Sequence, residues 1–122
     1  MTQHEFYTKW LEHFTRGISQ KDLKNHVTSE GNLIWHTFSW ELLDKSRFLE
    51  GDDAKAAYNK QYKGGALYIE WFRDEETHNL TFDLERADAL DKMDEVYVAA
   101  EDFSWTYIKT HEERCGPYFM KL

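Results

Sequence analysis

The sequence is poor in cysteine and proline. Among its 122 residues it holds one cysteine, Cys115, and one proline, Pro117. A single cysteine cannot close a disulfide within the chain, which excludes the class of small secreted domains stapled by disulfides. A chain of this length buries enough surface to fold without such a staple. We therefore expect one domain over residues 1–122.

Long apolar runs and an excess of basic residues are also missing. No apolar stretch approaches the ~20 residues of a membrane-spanning helix, and the first residues, MTQHEFYTKW, lack a signal-peptide pattern. The sequence thus predicts a cytoplasmic protein without membrane contact. The 23 acidic residues outnumber the 15 lysines and arginines, for a formal net charge of -8. Because nucleic-acid binding needs a basic surface, direct binding to nucleic acid is not expected.

Aromatic residues are plentiful, at 16% of the chain, and their spacing indicates secondary structure. Phe6, Trp10 and Phe14 recur every four residues, which predicts an amphipathic helix over residues 3–16. Ser19 is suited to cap a second helix, and Asp52 or Asp53 to cap a short helix over residues 52–62. A further short helix is expected at residues 87–93.

The later part of the chain is rich in strand patterns. Apolar and polar residues alternate, or aromatic and β-branched residues cluster, in five segments. These segments are residues 32–39, 67–72, 80–84, 96–100 and 103–110. The last two should form a hairpin that turns near Glu101 and Asp102. The pattern predicts an α+β domain, with N-terminal helices packed on a mainly antiparallel sheet of about five strands.

The negative charge is concentrated in residues 67–102, which hold twelve acidic and three basic residues. One interpretation is a solvated surface that keeps a small protein soluble. The other is a face that steers a basic protein partner, as in proteins that block nucleases by replacing the phosphate backbone. The acidic residues predicted to face a partner are Asp74, Glu75, Glu76, Asp83, Glu85, Asp88, Asp91, Asp94 and Glu95.

The C-terminal stretch SWTYIKTHEERCGPYFMKL raises the question of a metal or catalytic site. His111 and Glu112 begin like a zinc-protease helix, but Cys115 stands where that motif needs a second histidine. Gly116 and Pro117 would end any helix there. Cys115 paired with His111 or His36 as nucleophile and base has no motif to support it. The structural alternative is that the polar groups of residues 110–113 satisfy the backbone of a turn.

A small pocket is the remaining chemical hypothesis. His36, Glu70, His111 and Glu112 are its candidate lining, in a small enzyme or a ligand-binding domain. His36 is otherwise interpreted as a hydrogen-bonded core histidine on an apolar strand face. The sequence has no phosphate-binding loop, nucleophile elbow or dinucleotide fingerprint, so we predict no cofactor.

Two groups of motifs resemble a known family. Residues 35–39 read W-H-x-F-S, followed by Leu49-Glu50-Gly51 with Ala54, and residues 110–119 read T-H-E-x-x-x-G-P-Y-F after Trp105-Thr106-Tyr107. These elements resemble a family of small bacterial proteins catalogued as a domain of unknown function. The resemblance spans residues 33–119 and excludes the first helix. It implies a bacterial cytosolic protein and brings no assigned activity, cofactor or catalytic residue.

The sequence favours a non-enzymatic interaction protein, such as an immunity-type inhibitor of a basic toxin or nuclease. The alternative is a small enzyme or a ligand- or metal-binding domain that uses His36, His111 and Glu112. A third alternative is a regulatory or structural subunit, which would form a homodimer through an exposed apolar face.

Overall fold

The computed structural model describes residues 1–122, with Glu30 described through its backbone alone. The described backbone forms five α-helices and six strands. The helices are α1 (Gln3–Phe14), α2 (Gln20–His26), α3 (His36–Ser39), α4 (Asp52–Lys60) and α5 (Ala87–Leu90), and short 3-10 helices cover Thr28–Glu30, Lys45–Arg47 and Phe82–Leu84. The strands are β1 (Leu49–Glu50), β2 (Leu67–Glu70), β3 (His78–Asn79), β4 (Val96–Ala99), β5 (Trp105–Lys109) and β6 (Tyr118–Lys121). None of the described helices is long and apolar enough to cross a membrane.

The six strands form one antiparallel sheet in the order β1-β6-β5-β4-β2-β3. The predicted hairpin is present: β4 and β5 pair with Val98 opposite Tyr107, and the turn contains Glu101 and Asp102. The final strand, β6, lies between β1 and β5, in a segment where the sequence predicted no strand. The α+β prediction is confirmed, with six strands in place of about five.

Each face of the sheet carries its own core, because successive strand residues point to opposite sides. On one face, Tyr97 and Ala99 of β4 pack with the aromatic side chains of α1. On the other face, Val96 and Val98 pack with α4 and α5, and Tyr58 of α4 is fully buried there. The fold therefore has three layers, with helices on both sides of a central sheet.

The first two helices follow the sequence prediction closely. Thr2 caps α1 in a capping box with Glu5, and the helix buries the predicted aromatic stripe. Trp10 lies across the sheet, where its indole Nε1 donates to the hydroxyl of Thr106 at 3.0 Å. Ser19 caps α2 by accepting from the backbone N–H of Asp22. The cap of α4 was predicted wrongly, since Gly51 occupies that position and Asp52 and Asp53 lie in the first turn.

The strand predicted at residues 32–39 was wrong, because this segment coils into turns and α3. The N–H groups of Thr37 and Phe38 donate to the carbonyls of Ile34 and Trp35 at 3.0 Å. Ile34, Trp35 and Phe38 are buried together, at the spacing of one helical face. The apolar residues of this segment are spaced so that they fit the 3.6-residue period of a helix as well as the two-residue period of a strand. His36 consequently lies half-buried at the start of α3, not on a strand face.

The strand predicted at residues 80–84 was also wrong. Leu80 donates its N–H to the carbonyl of Ala66, after which the chain turns into the Phe82–Leu84 3-10 helix. The hydroxyl of Tyr58 holds this turn by donating to the carbonyl of Leu84 at 2.7 Å. The turn projects Phe82 into solvent, whereas a half-buried strand would have placed it on one face with Leu80 and Leu84.

Candidate functional site

The acidic residues singled out in the sequence do not form one surface. Asp74, Glu75 and Glu76 lie at the β2–β3 connection beside the start of α1, where Gln3 donates its N–H to the carbonyl of Glu75 at 2.8 Å. A second group surrounds the 3-10 helix and α5 on the opposite side of the sheet and contains Asp83, Glu85 and Asp88.

The remaining acidic residues have separate surroundings. Asp91 forms an ion pair with Lys55 of α4 at 3.1 Å. Asp94 is exposed just before β4. Glu95 was predicted to face a partner, and this is wrong because its side chain is buried, with 1% of the residue exposed. A buried carboxylate needs hydrogen-bond donors from its own protein, and Glu95 has them from Tyr97 and His111.

A groove walled by two exposed aromatic rings lies between the end of α4 and the start of α5. Phe82 is 90% exposed and Tyr62 is 82% exposed, far more than the other large apolar or aromatic side chains that reach the surface. The groove has a volume of about 640 Å³. The lining side chains that matter for recognition are Tyr62, Phe82, Asp83, Glu85, Arg86 and Asp88. Exposed aromatic rings of this kind are typical of interfaces.

A second groove, with a volume of about 530 Å³, adjoins the first. Tyr62 and Gln61 line both grooves, so Tyr62 stands at their shared boundary. The second groove is closed by the β4–β5 turn with Glu101 and Asp102, and by Lys121 of β6. Hydrogen bonds from Ser104 hold the pKa of Asp102 below its ordinary value, which keeps this carboxylate ionised.

The charges along the two grooves are predominantly negative. Five carboxylates line them, against the cationic side chains of Lys63, Arg86 and Lys121. Lys63 is largely buried, and its ammonium donates to the carbonyl of Gln61 at 2.9 Å and stacks over the ring of Tyr58. Burial lowers the pKa of Lys63. Arg86 stays exposed and reaches Asp88 at 3.9 Å. The grooves can therefore receive an additional cation.

A hydrogen-bonded network surrounds the buried carboxylate on the α1 side of the sheet. Tyr97 donates its hydroxyl to one oxygen of Glu95. His111 Nδ1 lies 2.6 Å from the other oxygen and, since a carboxylate only accepts, carries the shared proton. His111 Nε2 faces Glu112 at 3.4 Å. Burial and the charge of Glu95 raise the pKa of Tyr97 well above its ordinary value.

The four residues predicted to line a pocket are only partly brought together. His111 and Glu112 are neighbours, and the ring of Trp35 contacts both His111 and His36, with centroid distances of 5.9 Å and 4.1 Å. His36 Nδ1 lies 3.1 Å from the hydroxyl of Ser39. Glu70 ends β2 and approaches Arg73 at 3.7 Å, apart from these contacts.

The turn between β5 and β6 is held by Thr110. Its hydroxyl donates to the carbonyl of Cys115 at 2.6 Å and accepts from the N–H of Glu112 at 3.2 Å. Burial raises the pKa of the Cys115 thiol, which makes this residue a weaker nucleophile at neutral pH. Over the part of the chain that the structure describes, no three His, Cys, Asp or Glu side chains come together in a metal-binding arrangement. This turn matches the structural alternative drawn from the sequence.

Sequence reasoning missed the two aromatic walls of the grooves. The alternating pattern predicted a half-buried strand around Phe82, and Tyr62 follows a helix end without any pattern of its own. The adjacent Gly64-Gly65 was the available signal. A Cβ at Gly64 would overlap the Tyr62 hydroxyl, so the missing side chain lets the phenol ring pack over the backbone.

Comparison with known protein families gives a match over most of the chain. The family model described as Domain of unknown function (DUF4275) matches residues 3–119, a span that begins with α1 and so exceeds the 33–119 of the sequence resemblance. The comparisons with curated proteins and with solved structures found no match.

Proposed function

The chain belongs to the DUF4275 family, whose description assigns no activity, and we propose that it is a non-enzymatic interaction domain for a basic protein. The observation that carries the proposal is the pair of exposed rings, Phe82 and Tyr62, standing over carboxylate-lined grooves. Solvent-exposed aromatics lose apolar hydration when a partner covers them, and the surrounding carboxylates select a cationic partner.

Charge supports the same proposal at longer range. The net charge of -8 favours rapid encounter with a positively charged protein, and this attraction weakens as salt shortens the Debye length. A cytoplasmic immunity-type inhibitor of a basic toxin or nuclease is the specific form we propose. In that role the acidic, aromatic surface would cover the region of the toxin that binds its anionic substrate.

The test begins with affinity capture from lysate of the source cells in low and high salt, followed by binding measurements with the identified protein. One bait carries Asp83→Asn, Glu85→Gln and Asp88→Asn. The matched control carries Glu75→Gln, Glu76→Gln and Asp94→Asn, so both baits lose the same three negative charges. We expect a basic protein that binds the native and control baits, dissociates in high salt and does not bind the first bait. Equal binding by both variants would contradict the proposal.

A second candidate function is favoured by the Glu95–His111 pair. A buried carboxylate that fixes one imidazole nitrogen leaves Nε2, which faces Glu112 at 3.4 Å, for a ligand or a proton, as in many catalytic and metal-binding histidines. Elemental analysis of the purified native protein and of the His111→Ala and Glu112→Ala variants tests this. Stoichiometric zinc in the native protein, lost in both variants, would favour the second candidate over the first.

A further inference from the structure

The geometry points to an arginine-rich segment as the occupant of the two grooves, with one guanidinium in each groove on either side of Tyr62. This inference rests on the proposed function and specifies its partner. It starts from the shared boundary: Tyr62 and Gln61 line both grooves, so a chain that crosses Tyr62 reaches both.

The phenol of Tyr62 reaches the backbone at Gly64. Its hydroxyl end lies where a Cβ of residue 64 would be, and 82% of the residue stays exposed. A tyrosine side chain has only two χ angles, so it loses little conformational freedom when a partner covers it, which favours affinity. Phe82 forms the far wall of the first groove from the 3-10 helix, which is fixed by the hydrogen bond from Tyr58 to Leu84.

Each groove combines an aromatic surface with carboxylates. The first offers Tyr62 and Phe82 with Asp83, Glu85 and Asp88, and the second offers Tyr62 with Glu101 and Asp102. A guanidinium is the cation that matches both features, because its plane stacks on aromatic rings and its N–H fork matches a carboxylate. A lysine ammonium is a strongly hydrated point charge and uses only the electrostatic part of such a site.

The protein itself places a guanidinium at the edge of the first groove. Arg86 is exposed and lies 3.9 Å from Asp88, at the limit of an ion pair. An incoming arginine would compete with Arg86 for this carboxylate and would be repelled by its charge. Removal of Arg86 should therefore strengthen binding, which is a gain that an unspecific loss of structure cannot mimic.

The thickness of the Tyr62 ring sets the distance between the two arginine side chains of the bound segment. Groups that stack on both faces of a phenol lie about 7 Å apart, twice the ~3.5 Å contact distance between carbon atoms. Side chains two residues apart on an extended strand have nearly the same separation, about 6.8 Å. An alternating arginine sequence in an extended conformation thus fits the two grooves.

The experiment uses the full chain and short amidated peptides that alternate serine with arginine, lysine or citrulline, measured by calorimetry. Citrulline keeps the shape of arginine and removes its charge. We expect the arginine peptide to bind more tightly than the lysine peptide and the citrulline peptide not to bind. Tyr62→Ala and Phe82→Ala should each weaken binding about fivefold or more. Arg86→Gln should strengthen it about twofold or more.

Phe72→Ala is the matched control, since Phe72 is an exposed phenylalanine that lines neither groove and contacts His111 instead. It should leave peptide binding unchanged. Thermal melts verify that the variants fold, and the exposure of Tyr62 and Phe82 makes a loss of folding unexpected.

Three results would overturn the inference: no arginine-peptide binding at low salt, equal binding by the citrulline peptide, or binding that Tyr62→Ala and Phe82→Ala leave unchanged. A homodimer that Tyr62→Ala dissociates would also overturn it, since a second copy would then cover this face. If the captured basic protein depends on Asp83, Glu85 and Asp88 while the peptides fail, only this inference falls. If the captured protein ignores those carboxylates, the proposed function falls.

Discussion

Glu95 illustrates how burial changes the role of a single carboxylate. In the sequence it ends a series of acidic residues and looks like part of a charged surface. In the fold its side chain lies inside, with Tyr97 and His111 as donors. Removing a charge from water is costly unless donors replace the solvent, so these contacts allow the carboxylate to remain there. Glu95 thereby ties the start of β4 to the turn that follows β5.

Replacement of Glu95 by alanine should destabilise the protein by about 3 kcal/mol, because it leaves the buried Tyr97 hydroxyl without its acceptor and His111 without its anchor. Urea unfolding followed by far-ultraviolet circular dichroism measures the change. Asp94→Ala is the matched control, since Asp94 is exposed next to Glu95, and should change stability by less than about 0.5 kcal/mol. Similar small effects from both substitutions would show that the network contributes little.

Among the helices and strands, the sequence correctly predicted those that have long, regular apolar patterns. Helix α1 carries its apolar residues over three turns, so its pattern matched the helical period alone. The β4–β5 hairpin has strand patterns on both sides of a polar turn, so its pattern matched a strand alone. The segments at 32–39 and 80–84 hold short apolar runs that fit helix and strand equally. Their conformation depends on tertiary contacts, such as the bond from Tyr58 to Leu84, that no local pattern encodes.

The negative charge of the candidate site was predictable from the sequence, but the exposed aromatic residues Tyr62 and Phe82 that line it were not. The acidic composition of residues 67–102 was visible, and Asp83, Glu85 and Asp88 do line a groove. The division of the acidic residues between two sides of the molecule depends on sheet topology. The exposure of Tyr62 and Phe82 depends on helix ends and turns, where sequence signals are weakest.

Strand β6 should be essential to the fold. Its Tyr118, Phe119 and Met120 are buried, and the strand pairs with both β1 and β5. Deletion of residues 116–122 should therefore unfold the domain, as seen by loss of cooperative thermal unfolding and of dispersed NMR resonances.

Deletion of Leu122 alone is the control for this truncation. Leu122 is exposed and contributes one backbone hydrogen bond, to Ser104. This variant should stay folded. A truncated protein without residues 116–122 that still unfolds cooperatively would indicate that β6 is an appendage and would reopen a binding role for the turn before it.

In the molecule as a whole, the two hydrophobic cores, one on each face of the sheet, bury several tyrosine side chains. Burial is the main cause that raises the pKa values of Tyr58, Tyr97, Tyr107 and Tyr118 above their ordinary value. In the unfolded chain these phenols ionise near pH ~10. Below that pH both states are neutral and the stability is fully present. Above it the unfolded state loses protons first, so stability is lost as the pH rises toward the folded-state pKa values.

We therefore expect cooperative alkaline unfolding above pH ~10. In a Tyr62→Phe variant, which lacks the exposed phenol, circular dichroism and tyrosinate absorbance recorded together should change in one transition, because the buried phenols ionise only when the protein opens. Return to neutral pH is the control for reversibility. Gradual ionisation of the remaining tyrosines of this variant, with an unchanged dichroism spectrum, would contradict the burial of Tyr58, Tyr97, Tyr107 and Tyr118.

The two ends of the sheet limit how another molecule can attach. The edge strands β1 and β3 are two residues long each, so little unpaired backbone is offered for a further strand to extend the sheet. Attachment by strand addition, which selects a partner by its backbone, has almost no template here. For the same reason, two copies of the protein have little unpaired backbone through which their sheets could pair edge to edge. A partner is therefore selected by the side chains on the outer faces, and even an extended segment would bind through its side chains without adding a strand to the sheet.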